Sequence, residues 1–192
     1  GDISTTSFFP SKPLGCYGDG GAVFTNNEEY ANKIKLLRAH GQNKRYHHKY
    51  IGIGGRLDTL QAAVLLAKLP NFKEELKDRQ RVANQYTQEL SKTFQTPIIK
   101  SNRTSAWAQY TIRVENRENL IIKLKEKRIP ISVFYPIPLY LQECFKNLNY
   151  KPNDIPLSEK VSKEVISLPM NSFLNKEQLN YITSNLINKD KI

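Results

Sequence analysis

Lys12 is the residue of this chain best placed by its neighbours to do chemistry. It sits in the run Thr6-Ser-Phe-Phe-Pro-Ser-Lys12-Pro-Leu-Gly-Cys-Tyr-Gly-Asp-Gly-Gly21, directly before a short apolar run at 22–25. The glycines at 15, 18, 20 and 21 permit tight turns and close backbone approach. Aromatics and prolines around a lysine can desolvate it, which favours the neutral, nucleophilic amine of a Schiff-base lysine. A solvated loop lysine fits the same local composition. A second stretch with useful side chains is His40-Gly41 followed by Ile51-Gly-Ile-Gly-Gly-Arg56-Leu-Asp-Thr-Leu-Gln-Ala-Ala63. His47 and His48 are adjacent. In a strand they would point to opposite faces, and no acidic or Cys partner accompanies them, so they read as surface residues and no metal site is expected.

The two segments together resemble the pyridoxal-phosphate lysine segment, and the motif that follows it, of the sugar-nucleotide aminotransferases of the DegT/DnrJ/StrS family. The resemblance continues through Val133-Phe-Tyr-Pro136 and Ser167-Leu-Pro-Met170, so it covers nearly the whole chain. The lysine segment is most similar to the subset making 3-amino uronic-acid sugars. The resemblance implies a pyridoxal 5'-phosphate enzyme in which Lys12 binds the cofactor as a Schiff base and then shuttles a proton. A primary amine serves both as nucleophile and as general base. L-glutamate is the implied donor. A keto-sugar nucleotide, a UDP-3-oxo-N-acetylglucosaminuronate, is the implied acceptor, in ping-pong order. The implied setting is cell-surface polysaccharide, lipopolysaccharide or O-antigen biosynthesis. A homodimer with shared active sites is implied as well. The other reading is a non-catalytic scaffold or regulatory protein with the same fold.

Ser7 matches a serine that donates to the cofactor phosphate; a buried strand-end serine bonded to backbone is the alternative. Arg56 matches an arginine that reaches the sugar carboxylate from the neighbouring subunit, a task that suits the guanidinium fork. It could equally be an exposed arginine near a helix N-terminus, where positive charge is mildly unfavourable. Two positions depart from the family. Gly54 stands where an Asn usually contacts the cofactor phosphate, leaving only a backbone N–H there. Phe134 stands where a His often precedes Tyr-Pro in the sugar pocket, while Tyr135 can still contact the sugar.

The elements that must position these residues follow from periodicity. Residues 22–25 predict a buried strand. Residues 25–28 fit a capping box, and Tyr30, Ile34 and Leu37 share a helical face that should end near His40 with Gly41 as the stop. Residues 42–55 predict a loop. A helix is expected over 56–69 with Leu57, Leu60, Val64 and Ala67 as its stripe. Pro70 separates it from a charged helix over about 71–94. Beyond 95 the chain predicts a strand in 106–114, a helix at 117–128 around Leu120, Ile121 and Leu124, and a strand at 131–135. Ser158 could cap a helix carrying Val161 and Val165, or residues 165–168 form a short strand. A last helix over 175–188 carries Leu179, Ile182 and Leu186. The resemblance implies α/β architecture: residues 1–69 as the C-terminal portion of a fold-type I large domain, and 70–192 as a small α+β domain.

Composition excludes several classes. The chain has 192 residues, 39% of them hydrophobic, and a formal charge of +11. The basic residues are interleaved with acids, as in 73–81, which suits a solvated helix face and no specific nucleic-acid role. No apolar run approaches the roughly 20 residues of a spanning helix, and no secretory leader is seen, so no membrane association and a cytoplasmic location are expected. Cys16 and Cys144 read as reduced thiols. The sequence opens Gly1-Asp2-Ile3 without an initiator Met, and the resembled enzymes are about twice as long. Their phosphate-binding turn, ring-stacking aromatic and ring-pairing Asp precede the lysine. The chain is therefore expected to be a C-terminal half, inactive alone.

Overall fold

The computed structural model describes residues 1–187. The chain divides into two units, Gly1–Lys73 and a second beginning at Glu74. In the first, β1 (Ser4–Ser7) pairs antiparallel with β2 (Gly21–Phe24), with Ser7 opposite Gly21. The strand forms where the apolar run predicts it, but it is not buried. Val23 and Phe24 are exposed, because among the described residues no third strand joins this pair.

Helix α1 (Glu28–Leu37) starts at Asn27, whose Oδ1 accepts the Tyr30 N–H at 3.0 Å. Thr25 is not the cap. Its hydroxyl donates to the Asp2 carbonyl (2.7 Å) and accepts from the Asn27 N–H (3.1 Å), so the capping position moves two residues on. The expected face is only partly covered: Tyr30 is exposed, and Ile34 and Leu37 are half-buried. The helix stops at Leu37, three residues short of His40. Gly41, at φ +70, turns the chain and donates its N–H to the Leu36 carbonyl (2.8 Å).

The stretch 42–55 is more than a loop. It contains a small hairpin, β3 (Gln42–Lys44) with β4 (His47–His48), and an isolated bridge pairs Ala39 with Gly54. His48 Nδ1 bonds the His40 carbonyl at 2.9 Å, and no metal-ligand cluster occurs among the described residues. Helix α2 (Thr59–Lys68) begins three residues later than expected, with Asp58 in the capping position. The expected stripe is not the buried face: Leu65 is the buried residue, while Leu60 is 81% exposed. A 3-10 turn at Leu69–Asn71, containing Pro70, leads into α3 (Phe72–Leu90), which ends four residues earlier than expected.

The second unit has a dense core. β5 (Tyr110–Arg113) buries Tyr110 and Ile112 and leaves Thr111 and Arg113 half-buried, the alternation read from the sequence. It is shorter than 106–114 because Trp107 lies at φ 47, outside strand geometry. Helix α4 (Arg117–Glu126) buries Leu124, and Leu120 and Ile121 pack against the core. The strand expected at 131–135 is a single bridge, Ser132 to Ser167, since the prolines that follow allow no further ladder. α5 (Pro156–Glu164) starts at Pro156, so Ser158 is inside it and caps nothing. Of the two readings for 165–168, the strand is correct: β6 (Val165–Leu168) pairs antiparallel with β5 and is buried throughout. α6 (Lys176–Ile187) buries Leu179, Ile182 and Leu186; residue 188, the expected end, lies outside the described residues.

α3, α4, α6 and the β5–β6 pair enclose this core. The Tyr86 and Tyr110 rings lie 5.0 Å apart, and Trp107 is 5.6 Å from Tyr110. Burial pushes both phenols up; the neighbouring Tyr110 and Glu89 add to the effect at Tyr86, and hydrogen bonds with Thr87 and Thr96 oppose it at Tyr110. Arg79 is also buried. It donates to the Trp107 carbonyl at 3.0 Å and ties that segment to α3. Both cysteines are free thiols, Cys16 buried and Cys144 exposed. No helix among the described residues is long and apolar enough to cross a membrane.

Candidate active site

The segment carrying Lys12 is a closed loop at the end of the β1–β2 pair. Its neck is held by backbone bonds, Phe8 N–H to Gly20 O and Cys16 N–H to Phe8 O, each 2.8 Å. The buried Cys16 thiol bonds the carbonyls of Phe8 (3.0 Å) and Gly18 (3.1 Å). At the tip, the Lys12 N–H closes a turn onto the Phe9 carbonyl at 2.8 Å. Gly15 is required by close approach. A Cβ there would lie 2.7 Å from the carbonyl oxygens of both Phe9 and Pro10. The loop therefore returns tightly on itself with Lys12 between its two arms.

Lys12 is exposed, and its Nζ has no hydrogen-bond or ion-pair partner among the described residues. The expectation that neighbouring aromatics and prolines bury it is not met within this chain. Ser7, at the end of β1, is exposed rather than buried. Its Oγ accepts the Phe9 N–H at 3.2 Å, which leaves its own hydrogen to donate outward.

Gly54 and Arg56 lie between the hairpin and α2. The Gly55 N–H bonds the Arg38 carbonyl at 2.8 Å, and the Ile53 N–H bonds Leu37 O at 2.9 Å, so this segment packs along the end of α1. A Cβ at Gly54 would meet the His40 ring at 3.0 Å. Arg56 lies outside any helix or strand, exposed and without a carboxylate partner among the described residues. One residue on, Leu57 reaches the lysine loop: a Cβ at Gly20 would lie 3.1 Å from its Cδ1. The structure thus brings the segment of Gly54 and Arg56 against the loop of Ser7 and Lys12. Phe134 and Tyr135 belong to the second unit; both are exposed, with rings edge to face at 5.4 Å across a cis peptide bond.

Sequence reading missed the residues that hold the loop from outside. Gln61 Oε1 accepts the Tyr17 N–H at 2.7 Å, and Lys68 Nζ donates to the Gly15 carbonyl at 2.6 Å. Their seven-residue spacing, two helical turns on one face, was the available signal.

The donor set fits a phosphate-bearing aldehyde cofactor. A primary amine stands free at the tip of a fixed loop, with an outward hydroxyl near it in sequence. The Gly54 N–H, for which no acceptor occurs among the described residues, is a third donor on the packed segment.

Residues 1–187 match the family described as the DegT/DnrJ/EryC1/StrS aminotransferases, and the chain belongs to that family. Aminotransferases of this family depend on pyridoxal phosphate. The UDP-2-acetamido-2-deoxy-3-oxo-D-glucuronate aminotransferase of Pseudomonas aeruginosa is 46% identical over 187 residues, covering 97% of this chain and 51% of its own length. A pleiotropic regulatory protein of Geobacillus stearothermophilus is 40% identical over 190 residues, at 97% and 51%. The crystal structure of an aminotransferase of this family from Brucella abortus superposes with a TM-score of 0.90 at 40% identity, covering 97% of this chain and 50% of that one. The fold is thus that of the C-terminal part of a pyridoxal-phosphate aminotransferase, and the chain spans about half the length of the curated relatives it matches.

Proposed function

We propose that the full-length protein is a pyridoxal-phosphate-dependent aminotransferase that moves an amino group from L-glutamate to a UDP-3-oxo-N-acetylglucosaminuronate. It acts in the cytoplasm as a homodimer with shared active sites, in the synthesis of a cell-surface glycan such as lipopolysaccharide or O-antigen. Residues 1–69 belong to the large domain and 70–192 form the small one. The observation that carries this reading is the free amine of Lys12 at the tip of a closed loop. The 46% identity to the Pseudomonas aeruginosa enzyme supports the choice of acceptor.

The cofactor, when bound, supplies a reactive carbonyl and an electron sink for the amino group's carbon. Lys12 would hold it covalently, and its amine, once released by the donor, would move the proton from the donor's Cα to the cofactor's C4′. Ser7 and the Gly54 N–H hold the phosphate. Tyr135 and Phe134 face the sugar, and Arg56, reaching from the second subunit, takes its carboxylate with a guanidinium fork. This chain alone is inactive.

The test is a panel of keto-sugar nucleotides with glutamate, assayed on the full-length protein. Arg56→Lys keeps the charge and loses the fork. We expect KM for the 3-oxo uronate to rise about tenfold, the worth of one charge-assisted hydrogen bond, with little change for the neutral 3-oxo hexose. Equal losses on both would remove Arg56 from the sugar site. A preference for a 4-keto-6-deoxy sugar would move the specificity to Phe134 and Tyr135.

Gly54 gives a second prediction. The His40 ring that a Cβ would meet is exposed and can swing aside. Gly54→Asn should then add a side-chain donor to the phosphate and tighten cofactor binding about fivefold, or about 1 kcal/mol. Unchanged affinity in a spectroscopic titration would show that the backbone N–H already suffices.

The name of the Geobacillus stearothermophilus relative favours one other reading, a regulatory protein on the same scaffold. A folded, dimeric full-length protein that aminates nothing in the panel would support it.

A further inference from the structure

We infer that Gln61 and Lys68, on α2, are positioning residues for Lys12: they fix the Gly15–Gly18 arm of the lysine loop and thereby place the amine. The inference rests on the reading of Lys12 as the cofactor-binding lysine. The loop does not need these side chains to close, because the backbone bonds among Phe8, Cys16 and Gly20 already form its neck. Within the arm, Cys16 is tied back to Phe8 through its N–H and thiol. Gly15, on the Lys12 side of Cys16, and Gly18 beyond it have no side chains of their own. The helix supplies the outer anchors on both sides of Cys16.

Gln61 and Lys68 are seven residues apart, so two helical turns place them on one face of α2. They grip the arm at two points, Tyr17 N–H and Gly15 O. The Gln61 amide also lies against Gly18, where a Cβ would meet its Nε2 at 3.1 Å. Lys68 is half-buried, and its charge goes to a neutral carbonyl, with no carboxylate partner among the described residues. A charged donor on a carbonyl is stronger than a neutral pair, and it fixes the oxygen's direction. The peptide held at Gly15 is three residues from Lys12. A shift there carries to the amine, and displacements of about 1 Å can cost about a hundredfold in rate.

The test uses the full-length protein with pyridoxal phosphate, borohydride trapping and mass spectrometry of the Lys12 peptide. Gln61→Met keeps the volume and removes the acceptor; Lys68→Met removes the donor. Each is expected to slow adduct formation at Lys12 by about tenfold and to move the pH midpoint of the cofactor's visible absorption. Gln61→Glu, which still accepts from Tyr17, and Lys68→Arg, which still donates to Gly15, should restore both. A purely structural role would lower thermal stability without moving the midpoint. If a Met variant fails to fold, the Glu and Arg variants, compared with Gln61→His and Lys68→Gln, decide the same point. Wild-type trapping rates and midpoints in all variants would overturn the inference while leaving the assignment of Lys12 intact. Absence of a Lys12 adduct in the unsubstituted protein would end both.

Discussion

Lys12→Ala in the full-length protein is expected to abolish the borohydride-reducible cofactor adduct and its visible absorbance. Turnover should fall by about 10²–10⁴-fold or more, the range for loss of a positioned acid–base group, here combined with loss of the covalent attachment. The reasoning starts from the loop. Its backbone bonds and the close return at Gly15 fix a turn whose tip carries one amine, and no neighbour among the described residues consumes that amine. Lys12→Arg should not rescue, since a guanidinium is neither a nucleophile nor a base near neutral pH. An adduct that persists at the same level in Lys12→Ala would place the reactive amine elsewhere.

The second large effect is on stability. Leu179→Ala in this chain should cost about 2–5 kcal/mol in urea unfolding, from lost transfer energy and a residual cavity. Leu179 is fully buried between α6 and the core that includes Tyr86, Ile112 and Leu124. Leu60→Ala should stay within about 0.5 kcal/mol, because that side chain is already in solvent. In the full-length protein the Leu60 change is expected to cost more. There the rest of the polypeptide is expected to cover the apolar residues Val23, Phe24, Leu60 and Leu66 that this chain leaves exposed. Equal costs at positions 60 and 179 in the isolated chain would contradict the exposure of α2.

Both leucines sit in helical stripes of the same quality, so periodicity could not separate them. A stripe states which face is apolar; what covers that face is decided elsewhere. In the second unit the covering elements lie within the chain, and the stripes of α4 and α6 became core at Leu124, Leu179, Ile182 and Leu186. In the first unit the described residues cover Leu65 but leave Leu60 and Leu66 of α2, and Val23 and Phe24 of β2, exposed. The cap at Asn27 shows the same limit on a smaller scale. Thr25 had the right chemistry, but its hydroxyl was drawn to Asp2, a partner 23 residues away.

By itself the sequence determined the family, through the wording of the Lys12 segment and of the segment at 51–63. It also determined the existence and type of the long periodic helices and the alternation in β5. Those are local matters of residue type and spacing. Only the tertiary structure decided that Gln61 and Lys68 hold the lysine loop, that Leu57 brings the Arg56 segment against it, and that a His40 ring lies over Gly54. Those contacts join residues 14 to 53 positions apart, and their existence depends on how the chain turns between them.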